Sequence, residues 1–408
     1  MKVLVTGGTG PFGRAVSRRL VASGHQVTAT ARRAPAYPIS GIDFVAADIQ
    51  DAASVRKAMA GHDAVVHLAW VVAPLKSESD TAAVNLGGTQ NVLDAMNSTG
   101  CSRLVFSSSV LAYGAVPGHP PLLREDDERR PESAHFYAAH KKAAEDMILA
   151  AAPESVLVRS GIIAGRDVDN LIFRFFSGPA LPVPDPQRAQ QFVHTDDVAR
   201  FTADAVSAEG SGPVNVAGEG SLTMREIADV MGQTVLPVPE TALRKGIAAA
   251  WKFQLAELAP AELGALLYMP VVDTTRLREE WGFSCAWSSR DALFDMARAA
   301  HGLKTFGKKT VTLPWRVAMH SDPRRSRLSA ITLRRTYAGE VDRAIADLTD
   351  TLSRHPGADP YRRAAHQALV SDLIDYLELL ADVGQLQGYS PTVRICATEA
   401  AQQARATL

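Results

Sequence analysis

The sequence predicts an α/β protein built on a doubly wound parallel sheet, and two observations predict it. Strand-like and helix-like stretches alternate regularly through the first 160 residues, as in a parallel sheet covered by helices on both faces. The alternation opens on a glycine-rich turn, MKVLVTGGTGPFG at 1–13, set between an aliphatic run and a stretch of helical spacing.

Taken in order, β-branched and aliphatic runs predict strands at 2–6, 26–31, 43–48, 64–68, 103–107 and 156–159, with helices at 13–23, 53–60, 81–98 and 136–150 between them. In the first turn, Gly7 permits a sharp reversal, Gly10 lets a pyrophosphate approach the backbone, and Gly13 lets the helix pack closely on the strand. The phosphates would then sit on a helix N-terminus, where unpaired N–H groups and the dipole favour anions. This makes 1–160 a dinucleotide-binding domain. From about 160 the alternation becomes irregular and prolines cluster (Pro179, Pro182, Pro184, Pro186), which reads as a smaller substrate-binding region over 161–300 with helices at 223–231 and 241–267. Ten Lys or Arg residues between 298 and 335 face one acid, Asp322, so 301–335 reads as a basic linker. Beyond it Leu333, Val341, Ile345, Leu348 and Leu352 fall on one helical face and Leu369, Leu373, Ile374, Leu377 and Leu380 on another. The tail 336–408 is thus an αα hairpin with a third short helix, expected to pack on the body or on a second subunit because two such helices bury too little alone.

The bulk numbers exclude several classes. A hydrophobic content of 46%, a charged content of 21% and a net charge of −1 over 408 residues describe a globular chain with no call for nucleic acid or a membrane surface. Cys101, Cys285 and Cys396 are far apart and lack metal-ligand spacing, so neither a disulfide framework nor a metal site is expected. The first strand begins at residue 2, and no run of about 18 apolar residues appears, which points to the cytoplasm.

Two residues stand out for chemistry. Tyr137 and Lys141 are spaced i, i+4 on the helix after the fifth strand, so both project from one face. A phenol titrates near 10, so acid or base work at neutral pH needs a neighbour such as Lys141 to lower it. Ser107, Ser108 and Ser109 end the fifth strand, where a hydroxyl would face that phenol.

These motifs converge. TGGTGPFG, HLA at 67–69, VNLGGTQNVLDA at 84–95, FSSSVLAYG at 106–114 and YAAHK at 137–141 resemble the extended short-chain dehydrogenases/reductases of the NAD-dependent epimerase/dehydratase family. The resemblance spans roughly 1–300, including FVHTDDVA (192–199), VNVAGEGSLTMREIA (214–228) and VDTTRLREEWGF (272–283). It implies a Rossmann-type fold, with Tyr137 as general acid/base and Lys141 binding the nicotinamide ribose while lowering the tyrosine pKa. Ser109 would be the catalytic hydroxyl, with Ser108 as the alternative, and Asn85 would support the site. Asp48 and Ile49 would hold the adenine, and Gly7, Gly10, Pro11, Phe12, Gly13, Leu68 and Ala69 would border the cofactor. His67 is expected to be structural.

Cofactor choice turns on the end of the second strand. Users of NAD place an acid there for the ribose 2′-OH, but this chain has Ala31, Arg32 and Arg33, which suits the 2′-phosphate of NADP and leaves NAD as the alternative. Arg14 is a further candidate cation, and Arg32 stacking on adenine is the competing account. On the substrate side, Gln190 and Gln191 stand where relatives acting on nucleotide sugars carry an arginine, and 262–270 contains none. Val110 and Leu111 replace the Asp-Glu pair of the dehydratases. Arg166, Arg174, Arg188 or the basic linker would have to supply the charge from another direction. Val71, Val72, Val110, Leu111, Phe173 and Phe176 are candidates for an apolar pocket, with plain core an equal account. The expectation is hydride transfer between NADP(H) and a carbinol or ketone carbon of a small molecule, in a possible homodimer. A nucleotide-sugar 4-epimerase with retained NAD and a non-catalytic NAD(P)-sensing regulator are the rivals.

Overall fold

Val3 and Val5 of the first strand face one hydrophobic core and Leu4 faces another, all three buried, so a single run of aliphatic residues serves both faces of the sheet. A computed structural model of the chain describes residues 1–35, 39–72, 77–166, 168, 171–178, 180–254, 259–300, 303–306, 309–312, 330–386 and 388–407. Its elements begin with β1 (Lys2–Thr6), α1 (Pro11–Ala22), β2 (Gln26–Ala31), β3 (Ile42–Ala46), α2 (Ala52–Met59) and β4 (Ala64–His67). A long helix follows as α3 (Glu78–Ala82), a wide π-type turn (Ala83–Gly87) and α4 (Gly88–Thr99). Then come β5 (Arg103–Ser109), α5 (Phe136–Ala151) and β6 (Val156–Ser160).

The seven-stranded sheet has the order β7-β6-β5-β4-β1-β2-β3, where β7 is Gly212–Val216, and all its pairings are parallel. The doubly wound sheet expected from the sequence is therefore present. Strand order reverses between β1 and β4, which opens a crevice at their carboxyl ends. The face toward α1 is also covered by α6 (Thr195–Ser207), through Val16, Leu20, Val198 and Phe201; the other face is covered by α2, α4 and α5. Elements from beyond residue 160 thus return to this sheet.

Sequence and structure part in four places. The helix expected at 81–98 starts at Glu78 and carries the π-type turn, which periodicity alone does not reveal. The single helix expected over 241–267 is broken: one helix ends at Lys252, Gln254 adopts a left-handed φ of 57°, and Pro260 starts a separate short turn before Leu263–Leu267. Within the expected basic linker, Leu303–Phe306 pairs antiparallel with Lys309–Thr312 and a helix already begins at Ala330; residues 313–329, with Arg316, Arg324, Arg325 and Arg327, lie outside the described residues. The tail's third helix, Pro391–Arg405, is longer than expected.

That tail forms a three-helix unit from Ala330–Ser353, Pro360–Leu386 and Pro391–Arg405, with Val341, Leu348, Leu373, Ile374, Leu377 and Leu380 in its core; Leu352 is instead exposed. It rests on the body. Trp287 packs with Ala365 and Leu369, Arg354 donates to Asp291 at 2.5 Å, Arg362 pairs with Glu219 at 3.0 Å, and Asp372 pairs with Arg166. Among the described residues, no helix is long and apolar enough to cross a membrane, and no group of His, Cys, Asp or Glu could hold a metal.

Candidate active site

A cavity of about 540 Å³ occupies the crevice between β1 and β4. Gly7, Gly10, Pro11, Phe12, Gly13, Arg32, Asp48, Ile49, Leu68 and Ala69 all line it, so the residues expected to border a cofactor are gathered in one groove. Its floor depends on glycine. Gly7 has a φ of +69°, and a Cβ there would come within 2.9 Å of the Ala69 nitrogen; at Gly13 it would meet the Gly7 oxygen at 2.3 Å. Gly10 caps α1 without a side-chain hydrogen bond, which leaves the first N–H groups of the helix for an anion.

At the groove's other end, Ala31 and Arg32 terminate β2 without an acid. Asp48 accepts from the Gln50 N–H at 3.0 Å, which shapes the turn after β3. Ile49 packs so closely on α4 that a Cβ at Gly88 would lie 2.8 Å from its Cγ1, and Asn91 fixes its carbonyl at 2.9 Å. Arg14 is occupied, with its Nε donating to the Thr9 carbonyl at 2.9 Å. A groove of this lining, with a helix N-terminus at its floor flanked by Arg32 on one side and a shaped turn on the other, fits a dinucleotide.

The chemically distinctive groups gather where β5 meets α5. The Ser109 hydroxyl faces the Tyr137 phenol closely enough to draw its pKa down, while Ser108 donates to Glu145 Oε1 at 2.5 Å. Adjacent serines thus have different duties, because successive strand residues point to opposite faces. Glu145 is fully buried and is held by Arg159 at 2.8 Å and Arg129 at 2.9 Å; Arg159 also donates to Tyr113 at 2.8 Å. Lys141 is buried, donates to the Ser107 carbonyl at 2.5 Å, and has its ammonium 3.7 Å from the centre of the Trp70 ring.

Burial dominates the electrostatics. It pushes the Tyr137 phenol up to about 12, with the Ser109 hydroxyl pulling partly back. Burial also drives Lys141 well below its ordinary value, against a smaller opposing pull from Glu145. The influences acting on Tyr137 here are burial and the Ser109 hydroxyl; the lowering expected from Lys141 is not among them. His67 is buried and lowered to about 3; its ring nitrogens pair with Thr6 at 2.8 Å and Thr89 at 3.2 Å, a structural role as expected. Asn85 sits in the π-type turn, accepts from the Val71 N–H at 2.8 Å and donates to the Val71 carbonyl at 3.2 Å. It pins the groove wall next to Trp70.

On the substrate side, Gln190 is buried and its amide is spent on the Leu266 carbonyl at 3.1 Å, while Gln191 accepts from the Val272 N–H at 2.9 Å. Arg166 is paired with Asp295 and Asp372, Arg188 lies over the Tyr268 ring, and Arg174 is engaged as well. Of the apolar candidates, Val110, Leu111 and Phe176 belong to the core, Phe173 is half-buried against it, Val71 lines the groove and Val72 is exposed. Sequence reading missed Trp70 and the Glu145–Arg159 pair. An indole directly after the HLA motif was the available signal for the first, and a glutamate one turn beyond Lys141 for the second.

Over residues 3–217 the chain matches the model of the NAD dependent epimerase/dehydratase family. It is 37% identical over 324 residues to the uncharacterized protein Rv2047c of Mycobacterium tuberculosis, an alignment covering 79% of this chain and 33% of that protein. The chain therefore spans about a third of the length of that mycobacterial relative. A 2-alkyl-3-oxoalkanoate reductase of Stenotrophomonas maltophilia is 35% identical over 184 residues, 43% of this chain and 54% of the reductase. Among solved structures, the Thermus thermophilus UDP-glucose 4-epimerase complex with NAD superposes with a TM-score of 0.58 at 25% identity, covering 74% of this chain and 99% of the epimerase. MoeE5 in complex with UDP-glucuronic acid and NAD shares the fold at a TM-score of 0.59 and 21% identity, with coverage of 74% and 99%. Because the family match takes in more than half of the chain and the same sheet underlies these enzymes, the chain belongs to the NAD-dependent epimerase/dehydratase family, within the extended short-chain dehydrogenases/reductases.

Proposed function

We propose that this chain transfers a hydride between NADP(H) and a carbinol or ketone carbon of a small molecule, with Tyr137 handling the proton. The observation that carries the reading is the Tyr137 phenol, acted on by the Ser109 hydroxyl and packed against Trp70 on the wall of the groove that fits a dinucleotide. A bound nicotinamide supplies or takes the hydride. Tyr137, pushed up to about 12, keeps its proton at neutral pH and is set to donate it to a carbonyl oxygen as charge develops there. Ser109 holds the same oxygen by a second hydrogen bond. Asn85 and Lys141 keep the surrounding wall in place through Val71 and the Ser107 carbonyl.

Arg32 beside Ala31 supports NADP over NAD, because a guanidinium pairs with the 2′-phosphate and no carboxylate opposes it. A buried, hydrogen-bonded Gln190 argues against a fixed cation for a sugar diphosphate at that position. The 2-alkyl-3-oxoalkanoate reductase among the relatives supports a keto substrate of modest charge. A 4-epimerase with retained NAD is the second reading, favoured by the UDP-glucose 4-epimerase among the structural neighbours. The reaction is assigned to the cytoplasm and to a small-molecule substrate.

The two readings separate in one experiment. The purified full chain is incubated with NADPH and a panel of ketones that includes 2-alkyl-3-oxoalkanoates, and separately titrated with UDP-glucose and UDP-galactose by calorimetry. NADPH consumption with weak or no nucleotide-sugar binding supports the reductase. Micromolar binding of either sugar nucleotide, with no net NADPH consumption, replaces it with the epimerase.

A further inference from the structure

His140 stands on α5 between Tyr137 and Lys141, is buried, and sets its ring edge-on to Phe136 at 5.8 Å and 73°. Its Nδ1 lies 3.4 Å from the side-chain nitrogen of the fully buried Asn85. The orientation of that amide is settled by the backbone of Val71, whose N–H donates to Oδ1 at 2.8 Å and whose carbonyl accepts from Nδ2 at 3.2 Å. Turning the amide over would set donor against donor and oxygen against oxygen at Val71. The group that Asn85 presents to His140 is therefore a donor. One of its two amide protons goes to the Val71 carbonyl, and the second is left for the ring. A ring nitrogen accepts it only when it carries no proton itself, so the neutral imidazole here holds its proton on Nε2.

We infer that His140 is a positioning residue: its unprotonated Nδ1 accepts the second amide proton of Asn85 and so holds Asn85, and through it Val71, in the shape that the groove needs. The inference rests on the dinucleotide reading of that groove, whose wall includes Trp70 and Val71. Because Trp70 precedes Val71 in the chain and packs on Tyr137 and Lys141, a shift of this wall also reaches the groups that handle the proton.

The device is sensitive to acid. A proton added to the neutral ring lands on Nδ1 and turns the acceptor into a donor that faces another donor. The contact with Asn85 then breaks, or the amide turns over and releases Val71. The wide turn at 83–87, packed against this part of α5, carries no charged residue, and Lys141 is directed at the Ser107 carbonyl and Trp70. Among the described residues, Glu78 on α3 bears on His140 and favours its charged form; burial is the larger influence and favours the neutral one. The neutral ring thus prevails at neutral pH, and the contact is lost as pH falls below 6.5 toward the depressed folded value.

The test uses the full chain, NADPH and two variants. Asparagine offers a carbonyl oxygen in the place of Nδ1 and cannot titrate, whereas leucine has nearly the same shape as asparagine and no acceptor. In calorimetry at about pH 8, His140→Asn should bind NADPH within about twofold of wild type, and His140→Leu about five- to twentyfold more weakly. On going to about pH 5.5, wild type should lose at least about threefold more affinity than His140→Asn, since the titration of the ligand's own phosphate is common to both. A second measurement does not depend on any variant's affinity. In wild-type protein with 15N-labelled histidine at about pH 8, the ring whose signals disappear in His140→Asn should show its proton on Nε2 in long-range 1H–15N correlations. A proton on Nδ1 overturns the inference. So does His140→Leu that binds NADPH as wild type does, His140→Asn that binds as weakly as His140→Leu, or one pH profile shared by wild type and His140→Asn. Each of these leaves the dinucleotide reading standing, whereas wild-type protein that binds NADPH at no pH removes that reading and this inference with it.

Discussion

The hydroxyl of Ser109 acts on the phenol of Tyr137, while the neighbouring Ser108 reaches the opposite way to a buried carboxylate on α5. One strand end therefore carries a pair for chemistry and a pair for the fold, and substitution should separate them. Ser109→Ala is expected to lower kcat by roughly ten- to a hundredfold at little loss of stability. Ser108→Ala leaves Glu145 with its two arginines but one donor short, so it should lower stability by about 1–3 kcal/mol in urea titrations and keep kcat within about a factor of two. Tyr137→Phe should retain the fold and cofactor binding and lose roughly a hundredfold or more in turnover. If Ser108→Ala loses turnover and Ser109→Ala does not, the two duties are reversed.

Cofactor preference is the second prediction. NADPH should bind at least about tenfold tighter than NADH, equivalent to about 1.4 kcal/mol, and Arg32→Ala should remove most of the difference. The measurement is a pair of calorimetric titrations on each protein. Equal affinities in the wild type would leave Arg32 as an adenine-stacking residue.

Acid should destabilise this protein through its buried histidines. His67 is lowered to about 3 and His135 to about 4, both by burial, against an ordinary value of 6.5. Their folded pKa values are depressed, so the unfolded chain binds protons that the folded one refuses. The stability they contribute is fully present above 6.5 and is lost as pH falls toward their folded values. Urea midpoints between pH 7 and 5 should fall with a limiting slope of about 1.4 kcal/mol per pH unit for each histidine, and His67→Gln should remove one share of it. An unchanged slope in His67→Gln would mean that its environment is open to protonation in the folded protein.

The tail supplies the fourth prediction. A chain ending before Ala330 loses Ala365 and Leu369 from the side of Trp287, and Arg354 and Asp372 from Asp291 and Arg166. The melting temperature should drop by on the order of 5 °C, and tryptophan emission should shift to the red as Trp287 becomes wet. A truncated chain with unchanged melting temperature and emission would make the tail an independent module.

Sequence legibility followed the physics of each feature. β1 and β2 were read to the residue because aliphatic runs bounded by glycine or charge have one sensible register, and the glycine turn was legible because only glycine tolerates those close approaches. Tyr137 and Lys141 were found by helical spacing. What Lys141 does was not legible, because burial under Trp70 and its effect on charge are tertiary facts. The break after Lys252 was overlooked although Pro260 announced it, since amphipathic spacing continued past the proline. The division of labour between Ser108 and Ser109 needed Glu145, and nothing local in the sequence ties residue 108 to residue 145.

The wide turn at Ala83–Gly87 sets the angular phase of everything after it. Each residue of an α-helix advances about 100°, so the extra residue in this turn rotates α4 by about that angle relative to α3. Within the turn, Asn85 is aimed at Val71; downstream of it, Gly88 and Asn91 are aimed at Ile49. Two ends of one groove are thereby clocked from a single helix. Deleting one residue within 83–87 would restore a uniform helix and leave only one of the two ends correctly addressed, so affinity for the whole dinucleotide should fall further than affinity for either half.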